Sequence, residues 1–124
     1  MKKSLVVVLS DPKLGEEALG RVFNALAFAY DQKERKNDVK IVFQGTGTRW
    51  VSELSQPKHV LHGLYEAVLD KVEGACGGCA DVFGATESLK QTNTPLLRDL
   101  KIPGTTGLTS LVSYIDEGYV VTTF

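Results

Sequence analysis

The chain has 124 residues, with 14 basic and 15 acidic side chains and two cysteines. This length is typical of one domain, and no repeat or linker divides it, so residues 1–124 are expected to form a single domain. The balanced charge excludes the concentrated basic surface by which proteins bind nucleic acids or acidic membranes. Two cysteines are too few for the disulfide framework of a small secreted protein, so we expect a cytoplasmic location.

The chain opens with the pattern of a strand followed by a long helix. Residues 5–9 form an apolar run that is too short for a signal peptide or a membrane span, and it stops at Ser10-Asp11-Pro12. A buried first strand is therefore predicted. From Leu19 to Tyr30 the apolar side chains recur at the spacing of a helix face. Asn37 is expected to end this helix in the left-handed conformation.

The middle of the chain continues the alternation of strands and helices. Residues 39–43 are predicted to form a second strand, and residues 59–73 a helix that Gly74 ends. A short element over residues 75–77 is expected to lead into a third helix. The apolar positions of that helix run from Ala80 to Leu89.

The last part of the chain predicts one more helix and one more strand. Residues 96–102 fit either a short helical turn or a strand. Gly104 is expected to open a last helix that carries Leu108, and Gly118 is expected to close it. A final strand is predicted over residues 119–124.

This alternation predicts a three-layer α/β/α sandwich with a mostly parallel sheet of four or five strands, a flavodoxin-like architecture. The strands are continuous apolar runs, as in sheets that helices cover on both faces. Ligands of such sheets bind outside the carboxyl ends of the strands. Residues 10–15, 44–50 and 76–79 follow predicted strands and are therefore candidate site segments. Residues 104–107 join them if residues 96–102 form a strand.

The segment Cys76-Gly77-Gly78-Cys79 is predicted to lie where a strand is followed by a helix. A thiol at a helix N-terminus has a lowered pKa and a larger thiolate fraction. The two glycines are expected to leave both sulfurs open to a partner. Such a pair can exchange a disulfide, carry a persulfide sulfur or provide two soft metal ligands. A structural interpretation, in which both cysteines are small buried residues of a tight junction, stays open beside these.

Two histidines offer an alternative in which the cysteines bind a metal. His59 and His62 lie three residues apart, and with two thiolates they would make a tetrahedral zinc site. The predicted chain path permits this site without requiring it, because the chain must double back to bring the two pairs together. We therefore predict neither a metal nor another cofactor.

A second candidate segment consists of Gly45, Thr46, Gly47, Thr48, Arg49 and Trp50, directly after the second strand. Backbone N–H groups, hydroxyls and a guanidinium at the end of a strand are typical of an anion-binding loop. The segment lacks the third glycine of a dinucleotide-binding motif. We predict a ligand-binding loop in which Arg49 lowers the pKa of a nearby thiol or holds an anionic sulfur species. The alternative is a structural loop that packs Trp50 over the sheet edge.

The chain resembles the DsrE/DsrF-like family of small α/β proteins, which includes sulfur-relay subunits of the TusD type. The resemblance spans essentially the whole length and rests on the first strand, on Val39-Lys40-Ile41-Val42-Phe43, on a cysteine at the end of the third strand and on Gly118–Thr122. Relay members of the family carry a persulfide on a cysteine after the third strand, with a glycine further along. Cys76 and Gly84, which lie eight residues apart, match the spacing of that cysteine and glycine.

The resemblance implies a sulfur carrier or sulfurtransferase that forms a persulfide on Cys76. Cys79 is then a second candidate, or a resolving thiol that converts the persulfide to a disulfide. The resemblance also implies a homo-oligomer, a trimer or hexamer, with a sulfur donor protein and an acceptor protein as partners. The pair of cysteines and the Gly45–Trp50 loop depart from the relay subunits. The alternative is a non-enzymatic oligomer that binds a small ligand between this loop and the cysteines.

Overall fold

The computed structural model describes residues 1–124 as a parallel sheet of five strands with six α-helices and short 3-10 turns. The strands are β1 (Lys3–Val8), β2 (Asp38–Phe43), β3 (Val72–Cys76), β4 (Leu96–Leu97) and β5 (Val120–Thr123). The helices are α1 (Glu16–Glu34), α2 (Trp50–Leu54), α3 (His62–Val68), α4 (Gly77–Val82), α5 (Thr86–Gln91) and α6 (Leu111–Asp116). The predicted α/β fold with a parallel sheet is confirmed. None of the six helices combines the length and the hydropathy that crossing a membrane requires.

Helices cover the two faces of the sheet unequally. Successive side chains of a strand point to opposite faces, so Val6 and Val8 join the larger core while Leu5 and Val7 join the smaller one. The larger core has 20 buried residues, to which all of α1 to α5 contribute. The smaller core has four buried residues, and α6 packs on it through Leu111 and Tyr114.

The strand order places the candidate segments at one edge of the sheet. The order is β4-β3-β2-β1-β5, with every neighbouring pair parallel. The carboxyl ends of β1, β2 and β3 therefore lie side by side, and Val8 pairs with Phe43, which pairs with Ala75. The segments that follow these strands meet at the edge where sheets of this type bind ligands.

The predicted helix over residues 59–73 is too long at both ends. Helix α3 covers only His62–Val68, a 3-10 turn follows, and β3 already begins at Val72. Gly74 therefore lies inside a strand rather than after a helix. It has φ 154°, and a Cβ there would lie 2.4 Å from the carbonyl oxygen of Pro95, so the chain just before β4 leaves room only for glycine. Pairing with β2 outweighs the helical spacing of the apolar residues here.

Other element boundaries also differ from the prediction. The predicted third helix is divided at Gly84, which has φ 73° and separates α4 from α5. Lys36, with φ 62°, rather than Asn37 adopts the left-handed conformation after α1. The ambiguous residues 96–102 contribute the short strand β4. The last helix begins only at Leu111, because Leu108 forms an antiparallel bridge with Leu100.

Candidate functional site around Cys76 and Cys79

Cys76 and Cys79 lie at the junction between β3 and α4. Cys76 is the last residue of β3 and the N-cap residue of α4, and it is 0% exposed. Cys79 lies in the first turn of α4 and is partly exposed. Both are free thiols. The predicted junction is thus present, but it buries one sulfur and leaves the other in contact with solvent.

The two glycines between the cysteines allow close packing rather than access. A Cβ on Gly77 would lie 2.4 Å from Cγ of Arg98, and one on Gly78 would lie 2.6 Å from Cδ1 of Leu108. The N–H of Gly78 also donates to the carbonyl of Gly107 over 2.8 Å. Residues 98–108 therefore pack directly on the start of α4. The expectation that the glycines leave both sulfurs open is wrong for Cys76.

The two thiols have very different pKa values because they share one hydrogen bond. The thiol of Cys79 donates to the sulfur of Cys76 and lowers the pKa of Cys76 to about 6. Burial opposes this shift, while the N–H of Thr109, the N–H of Cys79 and the hydroxyl of Thr109 support it. The same hydrogen bond and burial raise the pKa of Cys79 above its usual value. The N–H of Gly45 lowers this pKa, but by less. These opposite shifts favour the thiolate at Cys76 and the thiol at Cys79.

The side chain of Arg49 forms its bonds with groups other than the two cysteines. Its Nη1 lies 2.9 Å from Oδ2 of Asp11, and its Nε donates to the carbonyl of Phe83 over 3.1 Å. The leading contributions to the lowered pKa of Cys76 contain no charged side chain. The expected effect of Arg49 on a nearby thiol thus finds no support, since Cys79 and Thr109 supply the donors instead.

The rest of the Gly45–Trp50 loop is fastened to the end of β1. Trp50 is buried and its Nε1 donates to the carbonyl of Ser10 over 2.9 Å, while Thr46 donates to the carbonyl of Leu9 over 3.2 Å. The hydroxyl of Thr48 donates within the loop, to the carbonyl of Gly45, over 2.8 Å. A Cβ on Gly47 would lie 2.1 Å from the carbonyl oxygen of Val8. Ligand binding by this loop stays a prediction.

The two histidines lie apart from the cysteines in their contacts. His59 accepts the N–H of Leu61 at Nδ1 over 3.0 Å and meets Trp50 edge-on. His62 places Nδ1 2.8 Å from the carbonyl oxygen of Leu54 and Nε2 3.5 Å from Glu66. No three His, Cys, Asp or Glu side chains are grouped to hold a metal ion. The zinc alternative therefore lacks its set of ligands.

An ion pair closes the outer side of the junction. Arg98, which overlies Gly77, places Nη1 3.0 Å from Oδ2 of Asp81. The hydroxyls of Thr86 and Thr106 also donate to this carboxylate. Arg98 and both hydroxyls hold the pKa of Asp81 well below its usual range. This cluster ties the segment after β4 to the first turns of α4.

The model of the DsrE/DsrF-like family matches residues 2–124. The chain belongs to the DsrE/DsrF-like family. An uncharacterized protein of Methanocaldococcus jannaschii, MJ0733, is 33% identical over 98 residues, which cover 79% of this chain and 75% of that protein.

Two solved structures share the fold of this DsrE/DsrF-like chain. BT1422 of Bacteroides thetaiotaomicron, a conserved protein of unknown function, has a TM-score of 0.62 at 18% identity and covers 98% of this chain and 95% of its own. The ychN protein of E. coli has a TM-score of 0.56 at 20% identity, with both chains covered completely. At these identities the likeness establishes the fold.

Two buried polar side chains of this DsrE/DsrF-like chain lie outside the predicted site residues, although Gln44 belongs to the candidate segment 44–50. Thr109 is 3% exposed, and its hydroxyl lies near the Cys76 sulfur without forming a hydrogen bond of normal geometry. Gln44 is 9% exposed and its Oε1 has no hydrogen-bond partner. Because Phe43 pairs with Ala75, Gln44 follows β2 beside Cys76. A polar residue at the end of a buried strand was a readable signal for Gln44, whereas no local pattern marks Thr109.

Proposed function

We propose that this DsrE/DsrF-like protein is a sulfur carrier in which Cys76 holds a sulfur atom as a persulfide. One observation carries the proposal: Cys76 ends β3 as the N-cap residue of α4, with the free thiol of Cys79 in the first turn of that helix. The Cys79 thiol lowers the pKa of Cys76, with further help from Thr109. The thiolate is the nucleophilic form of cysteine, so Cys76 is active at neutral pH without a separate base. Membership of the DsrE/DsrF-like family supports the same chemistry.

The proposed reaction is an exchange of one sulfur atom between thiols. The Cys76 thiolate attacks the terminal sulfur of a donor persulfide, a new S–S bond forms, and the donor leaves as a thiolate with the electron pair of the broken S–S bond. An acceptor thiolate then attacks the terminal sulfur held on Cys76, and the electron pair returns to the Cys76 sulfur. Neither step needs an external oxidant or reductant.

Cys79 has two proposed roles at this site. Its thiol donates to the Cys76 sulfur, and it lies on the solvent side of that sulfur because it is the exposed member of the pair. A donor therefore reaches Cys76 after the Cys79 side chain rotates away. When no acceptor arrives, the Cys79 sulfur attacks the inner sulfur of the persulfide, which yields a Cys76–Cys79 disulfide and hydrogen sulfide.

Mass spectrometry after incubation with inorganic polysulfide tests the carrier function. We expect Cys79→Ser to gain one sulfur atom, which peptide fragmentation locates on Cys76. Wild type is expected to gain the same atom and then to lose it as the Cys76–Cys79 disulfide forms. Cys76→Ser is expected to gain none. Absence of the added sulfur in Cys79→Ser, or the same gain in Cys76→Ser, would contradict the proposal.

A cavity supports the second candidate, binding of a small molecule. It has a volume of about 360 Å³ and opens between the ends of β1 and β5, where the strand order reverses direction along the chain. Leu9, Leu14, Ala18 and Phe124 form its apolar lining, and Thr46 of the predicted ligand loop contributes to it. Its size and position are typical of ligand sites in parallel sheets. Ligand-induced protection of Leu9–Asp11 from hydrogen exchange would support this candidate.

We further propose that this protein forms a homo-oligomer and that a sulfur donor protein and an acceptor protein are its partners. Helix α6 and strand β5 present Val112, Ile115 and Val120 to solvent, and such neighbouring apolar side chains favour association. Light scattering at several protein concentrations measures the assembly. A monomer at all concentrations would contradict this part alone.

A further inference from the structure

Thr109 is a buried residue whose hydroxyl the fold leaves without a partner. The residue is 3% exposed, and no hydrogen bond from its Oγ1 is formed within the chain. Buried hydroxyls are almost always hydrogen-bonded, because an unpaired one loses its bonds to water and gains none in return. The exception therefore calls for an acceptor that a neutral thiol at Cys76 does not supply.

Two sets of backbone hydrogen bonds fix Thr109 beside Cys76. Leu100 and Leu108 exchange hydrogen bonds of 2.7 and 2.9 Å, and the N–H of Gly78 donates to Gly107 over 2.8 Å. These bonds join residues 107–109 to the start of α4, directly after Cys76. Close packing supports them, because a Cβ on Gly107 would lie 2.5 Å from the carbonyl oxygen of Arg98.

The N–H and the hydroxyl of Thr109 both face the sulfur of Cys76. A neutral thiol is a weak acceptor, whereas a thiolate accepts charge-assisted hydrogen bonds. The hydroxyl of Thr109 thus acquires a strong acceptor only when Cys76 carries negative charge. The negative charge on Cys76 is sufficient to explain why the Thr109 hydroxyl is buried at this position.

We propose that Thr109 is a positioning residue for Cys76, which it holds as an anion through two fixed donors. The proposal rests on the proposed sulfur-carrier function and adds the group that stabilises the thiolate before it attacks and again when it leaves. Cys79 also donates to this sulfur, but it lies at the exposed side and must turn away when a donor persulfide arrives. Thr109 lies at the buried side and remains in place throughout the transfer.

The test measures the pH profile of Cys76 alkylation by iodoacetamide, with the modified residue identified by peptide mapping. Thr109→Val removes the hydroxyl but keeps the shape, and Thr109→Ser restores it. Loss of one hydrogen bond to a charged group is expected to raise the midpoint by about one pH unit, or about tenfold in the ionisation constant. Thr92→Val is the control, because that hydroxyl bonds to the carbonyls of Ser88 and Leu89.

We expect Thr109→Val to react more slowly than wild type at pH 6 and equally fast at pH 9, while Thr109→Ser and Thr92→Val follow wild type. An unmoved midpoint in Thr109→Val, or an equal rise in Thr109→Ser, would overturn the proposal. If Thr109→Val does not fold, Thr109→Ala provides the same comparison. Alkylation requires no sulfur transfer, so a failure of the carrier function appears separately, as absence of persulfide in Cys79→Ser.

Discussion

The turn after β2 and the junction after β3 stand side by side at one edge of the sheet, but their polar groups serve different ends. In the turn, Arg49 and Trp50 bond to Asp11 and Ser10, so these side chains are held within the chain. At the junction, Thr109 keeps a hydroxyl without a partner and Cys76 keeps a lowered pKa. Satisfied polar groups stabilise a fold, whereas unsatisfied ones beside a nucleophile remain free to act in chemistry.

The largest effect is expected from Gly47→Ala in the turn. The new Cβ would lie 2.1 Å from the carbonyl oxygen of Val8, in the backbone of a buried central strand that cannot shift aside. We expect the free energy of unfolding to fall by about 3 kcal/mol or more. Unfolding in denaturant measures the difference.

Gly63→Ala is the matched control for this variant. Gly63 lies in α3 and has no atom within 4 Å of the position of a Cβ. Its replacement is expected to leave stability unchanged or raise it by about 0.4–1 kcal/mol. Equal losses in the two variants would remove the distinction between a packed turn and an ordinary glycine.

A smaller effect is expected from Trp50→Phe, which removes the indole N–H from the carbonyl of Ser10. The buried site loses both this hydrogen bond and part of a packed ring, so a loss of about 1–3 kcal/mol is expected. Thermal unfolding checks the value, and Phe83→Leu at the partly exposed end of α4 serves as the comparison. No loss in Trp50→Phe would show that the turn is not held by this bond.

Local patterns were sufficient for much of the fold but only for part of the site. Each apolar run that forms β1 or β2 consists of adjacent residues, and Cys76 and Cys79 are three positions apart. Patterns of this short range can be recognised in the sequence. The start of β3 at Val72 depends on pairing with Ile41. Thr109, whose N–H and hydroxyl face Cys76, lies far along the chain. Such contacts arise only when the sheet is assembled.

The role of the two glycines illustrates the same limit. Glycines such as Gly77 and Gly78 indicate backbone freedom in any sequence. From that freedom we predicted that both cysteine sulfurs are accessible to a partner. In the folded chain the space they leave is filled by Arg98 and Leu108. The sequence shows that small residues are needed there, but only the tertiary structure shows what fills the space.

The smallest effect is expected from Asp81→Asn, which weakens the outer closure of the junction. The pair of Arg98 and Asp81 is 29% and 34% exposed, so it contributes at most about 1 kcal/mol at neutral pH. Arg98 lowers the pKa of Asp81, so this contribution is present above about pH 4 and is lost as the pH falls through the lowered value. Wild type and Asp81→Asn should therefore differ in unfolding midpoint at pH 7 and converge in acid.

Glu87→Gln is the control for this measurement, because Glu87 pairs with Lys90 at 3.7 Å on the surface of α5, away from Arg98. Only Asp81→Asn is expected to free Arg98 from its place over Gly77 and to speed alkylation of Cys76. Faster alkylation in both variants, or in neither, would contradict a closure formed by this pair. The turn after β2 is held by backbone contacts of the core. At the junction after β3, one weak surface pair adds to the packing of residues 98–108 on α4, so its loss is expected to make the buried sulfur easier to reach without unfolding the sheet.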